Sequence, residues 1–156
     1  MTQATRERTI TSNSARKFVD PFVTAKGERR AHITLGSLDT LWINTGTLCN
    51  LACEHCYIES TPTNDSLAYL SADEVGAFLD EIEAHRLGTQ LIGFTGGEPF
   101  MNPQFIGMLE DTLSRGFEAI VLTNAMRPMM KVKSALLALR DAYGDRLVLR
   151  VSLDHY

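Results

Sequence analysis

The sequence predicts an α/β fold, a partial TIM-type (βα) barrel of parallel strands cut short after its fourth strand. Three observations lead there. Strand-like and helix-like segments alternate along the 156 residues. The strand-like segments LWINT, QLIGFT, EAIVLT and RLVLRVSL are near-continuous apolar runs, the pattern of parallel strands covered by helices. The chain stops directly after the fourth run, and four strands cannot close a barrel. An uncovered last strand would expose unpaired backbone groups and an apolar face, so a truncated chain with further βα units missing is expected.

The elements follow in order. Residues 1–40 read as a polar extension punctuated by Pro21 and Gly27, and 41–156 as the N-terminal portion of a core domain. His32 to Leu35, Gly36-Ser37 and Leu38 to Thr45 suggest two strands joined by a turn, the second delivering the chain to Gly46. A long connection from Asn50 to Leu70 then carries Pro62, Asn64 and Asp65, and connections of that length are usually functional. Ser71 with Glu74 forms a capping-box signature, Leu70 and Val75 a hydrophobic staple, and Val75, Phe78, Leu79 and Ile82 a buried helix face stopped by Gly88. After QLIGFT, Asn102-Pro103 reads as the cap and first turn of a helix. Its face is Phe105, Ile106, Leu109 and Leu113, and Gly116 ends it. After EAIVLT, a helix at about 129–142 presents Val132, Leu136, Leu139 and Tyr143 and closes at Gly144. RLVLRVSL is the fourth strand.

Composition narrows the function. At 44% hydrophobic and 22% charged the chain is an ordinary globular mixture, with no apolar run near the roughly 20 residues of a membrane span. Arg6, Arg8, Arg16 and Lys17 among Ser and Thr suggest a transit peptide, but Glu7 and the lack of an apolar face weaken that reading, and no signal-peptide core is present. Residues 1–40 hold seven Lys or Arg against four acids; residues 41–156 hold eight against fifteen. So acidic a body lacks the basic stripe that follows phosphates, which argues against nucleic acid and for a small-molecule or peptide substrate.

The cysteines carry the chemistry. All three, Cys49, Cys53 and Cys56, fall within eight residues in a C-x3-C-x2-C spacing. An odd number on one loop makes no disulfide framework; it suits a soft metal centre in a reducing compartment, hence a cytoplasmic location. Three thiolates can hold three irons of a [4Fe-4S] cube and leave the fourth open, whereas an electron carrier would cap its cluster with four. The rival is a non-catalytic zinc-binding interaction module with His55 as fourth ligand, although adjacent His55 and Cys56 fit poorly around a tetrahedral ion. Inert surface cysteines are the bland alternative. His32, His85 and His155 lack ligand spacing, and Met126, Met129 and Met130 read as helix packing.

The loop CNLACEHCY resembles the hallmark of the radical S-adenosylmethionine (SAM) superfamily, C-x3-C-x-aromatic-C, with His55 at the aromatic position. The resemblance covers residues 41–156 and extends past the cysteines. Gly96-Gly97-Glu98 looks like the family's GGE motif and Thr123-Asn124 like its TNG segment. Ser152 and Asp154 match positions that contact the SAM ribose or methionine moiety in many members. What the resemblance implies is a cluster held by Cys49, Cys53 and Cys56 and SAM chelating the open iron. Gly96 and Gly97 would then line its methionine end, with Glu98 in the network around its ammonium group. The implied reaction is reductive cleavage of SAM to a 5'-deoxyadenosyl radical, with electrons from a donor such as flavodoxin or ferredoxin. The loop is especially similar to members that modify ribosomal peptides or mature haem and quinone cofactors, with the molybdenum-cofactor cyclases a neighbouring possibility.

Independently of that likeness, functional residues of a parallel βα array gather at the carboxyl ends of strands, where all four motifs fall. Asn124 also reads as an ordinary turn residue, Gly96-Gly97 as a tight turn, and Asn102-Pro103 as capping alone. Ala125 stands where the family has Gly, and its Cβ is expected to resist a positive φ and alter the loop. Alternation with Leu153 predicts that Ser152 and Asp154 share the interior face of their strand.

Overall fold

The computed structural model describes residues 20–153. The chain divides into a unit ending at Leu35 and a second beginning at Gly36. In the first, residues 20–35 make a tight turn at Gly27, closed by an antiparallel bridge between Val23 and Arg29 and by Thr24 N donating to the Glu28 carbonyl. The strand expected at His32 to Leu35 does not form. Residues 31–39 carry no regular structure, and Ile33, 92% exposed, has no buried face to join.

The second unit is a four-stranded parallel sheet in the order β1 (Thr40–Asn44), β2 (Leu91–Thr95), β3 (Glu118–Thr123), β4 (Leu147–Val151). Each strand returns beside its predecessor through a helical connection, as parallel pairing requires. Register sets the two faces. Ile43 pairs with Phe94 and Phe94 with Val121, and all three are buried beneath the helices. One residue earlier, Trp42 pairs with Gly93 on the opposite face, and a Cβ on Gly93 would lie 2.3 Å from the indole ring. Gly93 is therefore where that ring lies flat on the sheet.

Helix α1 (Ala72–His85) begins as predicted. Ser71 Oγ accepts from Glu74 N at 3.2 Å, and Ser71 N donates to Glu74 Oε2 at 2.8 Å. Its buried stripe is Val75, Leu79 and Ile82, with Phe78 outside it at 47% exposure. The helix also ends sooner than expected, on Arg86 in the left-handed region at φ 50, not on Gly88. The stop is a local left-handed cap, in which Arg86 N donates to the Glu83 carbonyl and Leu87 N to the Ile82 carbonyl; the Leu87 carbonyl then accepts from Leu38 N in the segment leading to β1.

After β2 a single 3-10 turn (Pro99–Met101) precedes α2 (Phe105–Ser114). Phe105, Met108, Leu109, Thr112 and Leu113 are buried there, and Phe105 stands edge-on to both Phe94 and Phe100. The expected cap at Asn102-Pro103 is corrected: Gln104 is the cap residue of α2. Asn102, 3% exposed, uses Nδ2 on the carbonyls of Thr45 (3.2 Å) and Leu70 (2.8 Å), tying the exit of β1 to the end of the long connection.

The last predicted helix is two. A short α3 (Arg127–Lys131) opens with Pro128 and breaks at Val132, whose φ of −108 and ψ of 15 leave the helical region, and α4 (Lys133–Tyr143) follows. Val132 N is spent on Met129 O and not on the carbonyl four residues back. Strand β4 ends at Val151, and Val148, Arg150 and Val151 are exposed, so this strand is not the fully covered run its composition suggested. Among the described residues, no helix is long and apolar enough to cross a membrane.

Candidate cofactor site at the carboxyl ends of the strands

The chain leaves β1 at Asn44, whose Oδ1 turns back to accept from Gly46 N at 3.0 Å, and enters the cysteine loop. That loop has no helix or strand of its own. It is held by a parallel bridge from Leu48 to Thr61, by Cys49 N donating to the Thr61 carbonyl, and by Thr47 Oγ1 donating to the Asn64 carbonyl at 2.9 Å. These ties hold Thr61 and Asn64 of the connection against the segment from Thr47 to Cys49.

A cavity of about 710 Å³ opens at the carboxyl ends of the strands. Cys49, Cys53, His55 and Cys56 line one side of it; Gly96 and Gly97 after β2, Asn124 after β3 and Ser152 after β4 line the rest. Ser152 N donates to the Thr123 carbonyl at 2.9 Å, extending the pairing of β4 just far enough to place Ser152 at the rim. Leu153 lines the cavity too, so the strict alternation expected of Ser152 and Leu153 fails where the strand has ended. Asp154 lies outside the described residues.

Gly96 and Gly97 have a definite reason to be glycine. Gly97 N donates to the Gly46 carbonyl (2.8 Å) and Glu98 N to the Leu48 carbonyl (3.0 Å), docking this segment on the backbone just before Cys49. A Cβ on Gly97 would lie 2.2 Å from the Leu48 oxygen, and one on Gly96, at φ +143, 2.6 Å from the Gly46 oxygen. The close approach is to the cysteine loop itself, which the reading of a mere tight turn does not capture.

Glu98 sits behind the cavity wall, not in its lining. It is 1% exposed. Oε1 accepts from Thr123 Oγ1 (2.8 Å) and Phe100 N (3.2 Å), and Oε2 from Asn124 N (2.8 Å). These three donors make burial of the charge tolerable. Thr123, 2% exposed, thus joins the site through its hydroxyl, which also accepts from Ala125 N at 3.0 Å. Ala125 keeps a positive φ of 55 despite its Cβ, so the loop adopts the backbone that glycine would favour.

The sulfurs are already provided with donors. Leu51 N lies 3.4 Å and Asn124 Nδ2 3.7 Å from Cys49 Sγ, and Ser60 N lies 3.3 Å from Cys56 Sγ. Burial pushes the Cys49 thiol up from its ordinary value, aided by the negative charges of Glu98 and Cys56, while the Leu51 amide and Asn124 pull the other way. Ser60 lines the same cavity, 3% exposed, and its hydroxyl has no hydrogen-bond partner. Asn50, whose Oδ1 accepts from Asn124 Nδ2 at 3.0 Å, is the residue that motif reading overlooked. Its position directly after Cys49 was the available signal.

Among the described residues, no three His, Cys, Asp or Glu side chains gather closely enough to share one metal ion. Three thiols lining one cavity, with N–H groups on the sulfurs of Cys49 and Cys56, are a donor set that suits an iron–sulfur group.

The comparisons agree with this geometry. The family described as the Radical SAM superfamily matches residues 43–155. The antilisterial bacteriocin subtilosin biosynthesis protein AlbA of Bacillus subtilis (strain 168) is 31% identical over 106 residues, 68% of this chain and 22% of AlbA. The Fe-coproporphyrin III synthase of Methanosarcina barkeri (strain Fusaro / DSM 804) is 32% identical over 76 residues, covering 49% of this chain and 18% of that enzyme. Among solved structures, Streptococcus suis SuiB bound to S-adenosylmethionine superposes with a TM-score of 0.60 at 19% identity, over 74% of this chain and 25% of SuiB. SuiB has also been solved bound to the precursor peptide SuiA. The chain thus spans about a quarter or less of the length of these relatives. Its parallel βα array, its cysteine loop and the match over most of its length place it together: this chain belongs to the radical SAM superfamily.

Proposed function

We propose that the chain forms the cluster- and SAM-binding portion of a radical SAM enzyme acting on a peptide or cofactor precursor. The observation that carries this is the convergence of Cys49, Cys53 and Cys56 with the strand-end segments at Gly96, Asn124 and Ser152 on one cavity. Cys49, Cys53 and Cys56 would hold three irons of a [4Fe-4S] cluster, with SAM at the fourth. His55, Gly96, Gly97, Asn124 and Ser152 would border SAM, and Asp154 joins them on the resemblance alone. When bound, the reduced cluster and SAM supply a one-electron cleavage of the sulfonium that starts radical chemistry.

The protein's own part is positional. Gly96 and Gly97 hold the cysteine loop against the end of β2, N–H groups sit on the sulfurs of Cys49 and Cys56, and the cavity walls limit water. Glu98 supports the wall from behind. A peptide substrate is favoured by AlbA, named for bacteriocin biosynthesis, and by SuiB, solved with a precursor peptide. The cluster requires an external reductant, for which a flavodoxin or ferredoxin is the natural class, and the clustered thiols favour the cytoplasm.

Anaerobic reconstitution with iron and sulfide, followed by metal analysis and a SAM-cleavage assay under reducing conditions, tests the reading. About four irons per chain and formation of 5'-deoxyadenosine are expected. Cys53→Ala should lose the iron; iron content equal to the wild type's would overturn the ligand assignment, and one zinc per chain would favour the interaction module instead.

A further inference from the structure

Asn124 does two separable jobs. Its Oδ1 accepts from Met126 N at 3.1 Å, the local turn that any strand-ending Asn or Asp can make. Its Nδ2 instead reaches across to the cysteine loop, 3.7 Å from Cys49 Sγ and 3.0 Å from Asn50 Oδ1. The turn needs only the oxygen, so a turn residue alone does not explain the amide. The main chain at this point is also fixed. The backbone N of Asn124 is anchored on Glu98 Oε2 at 2.8 Å, and Glu98 is itself fixed through Oε1 by Thr123 Oγ1 and Phe100 N.

We infer that Asn124 is a positioning residue that sets the electron affinity of the cluster through Cys49, with the buried Glu98 as its brace. The inference rests on the reading that the cysteines hold a [4Fe-4S] cluster. The N–H donors on Cys49 Sγ are the Leu51 amide, which belongs to the backbone, and Asn124 Nδ2, which belongs to a side chain. A donor on a ligating sulfur stabilises its negative charge. That charge grows on one-electron reduction, so each such donor raises the potential. The Glu98 carboxylate, buried without a cationic partner among its three donors, acts in the opposite sense, and Asn124 links the two, with its backbone N on Glu98 and its Nδ2 on the sulfur.

Two variants of the full chain separate the jobs. Asn124→Asp keeps the turn acceptor and replaces the donor by a negative oxygen; Asn124→Ser removes the donor without adding charge. After anaerobic reconstitution, the midpoint potential is measured by EPR-monitored redox titration, beside iron content and the unfolding midpoint. The expected result is wild-type iron with a more negative potential in both variants. The shift is larger in the aspartate, about tenfold less reduced cluster at a given poise, or roughly 59 mV for one electron. Unchanged potentials on a four-iron protein would overturn this inference and leave the proposed function standing. So would loss of iron from both variants at an unchanged unfolding midpoint, because Asn124 would then serve retention and not tuning. A wild-type protein that takes up no iron and sulfide would overturn the proposed function, and this inference with it.

Discussion

Replacing Gly97 by Ala tests whether the close approach of two backbones builds the site. The added Cβ would sit 2.2 Å from the Leu48 oxygen, 2.6 Å from the Leu48 carbonyl carbon and 2.7 Å from the Thr47 oxygen. All three are main-chain atoms, so no rotamer change relieves the overlap, and the loops must part by about 1 Å. Overpacking of this kind costs about 1–3 kcal/mol. Parting also weakens the Gly97 N to Gly46 O and Glu98 N to Leu48 O bonds, at about 1 kcal/mol each. The total of about 3–5 kcal/mol is a large share of the stability of a small domain and corresponds to a fall of roughly 10 °C in Tm. Chemical denaturation followed by the fluorescence of Trp42 gives the difference. Gly107→Ala is the control: Gly107 lies inside α2 with nothing within 4 Å of an added Cβ, so the same change there should stabilise by about 0.5–1 kcal/mol. A Gly97→Ala midpoint equal to wild type would refute the reasoning.

Other outcomes follow from the same structure. Ala125→Gly relieves a Cβ held at φ 55 and should raise stability by about 1 kcal/mol in equilibrium unfolding. Thr112→Val removes a buried hydroxyl that has no hydrogen-bond partner, so its unfolding midpoint should rise by the equivalent of about 1 kcal/mol. Ser71→Ala deletes the cap of α1 and should cost about 1 kcal/mol at neutral pH. The hydrogen bonds from Ser71 N and Oγ hold the Glu74 carboxyl below its usual value. A group depressed on folding stabilises above its unfolded pKa and ceases to do so as pH falls through its folded one. Alanine keeps the backbone donor and loses only the Oγ bond to the carboxylate, so the gap between wild type and Ser71→Ala should narrow without closing as pH drops below about 4.

The sequence by itself determined whatever depends on near neighbours in the chain. The four apolar runs became four parallel strands, and the Ser71–Glu74 pair capped its helix, because propensity and capping are decided within a few residues. The cysteine spacing identified the loop, since one short segment carries every thiol. Tertiary structure decided the rest. Phe78 follows the helical period yet lies outside the buried stripe of α1, because the width of a buried face depends on what packs against it. Asn102 reads as a cap in sequence, and its Oδ1 does accept from Gln104 N, but its Nδ2 reaches Thr45, 57 positions away, and Leu70. Glu98 stands out in its motif, but only the approach of Thr123 and Asn124 at the end of β3, 25 and 26 residues on, gives its buried carboxylate these partners. Hydrogen bonds over such separations depend on which strands lie side by side and in what register, and no local pattern of residues encodes that.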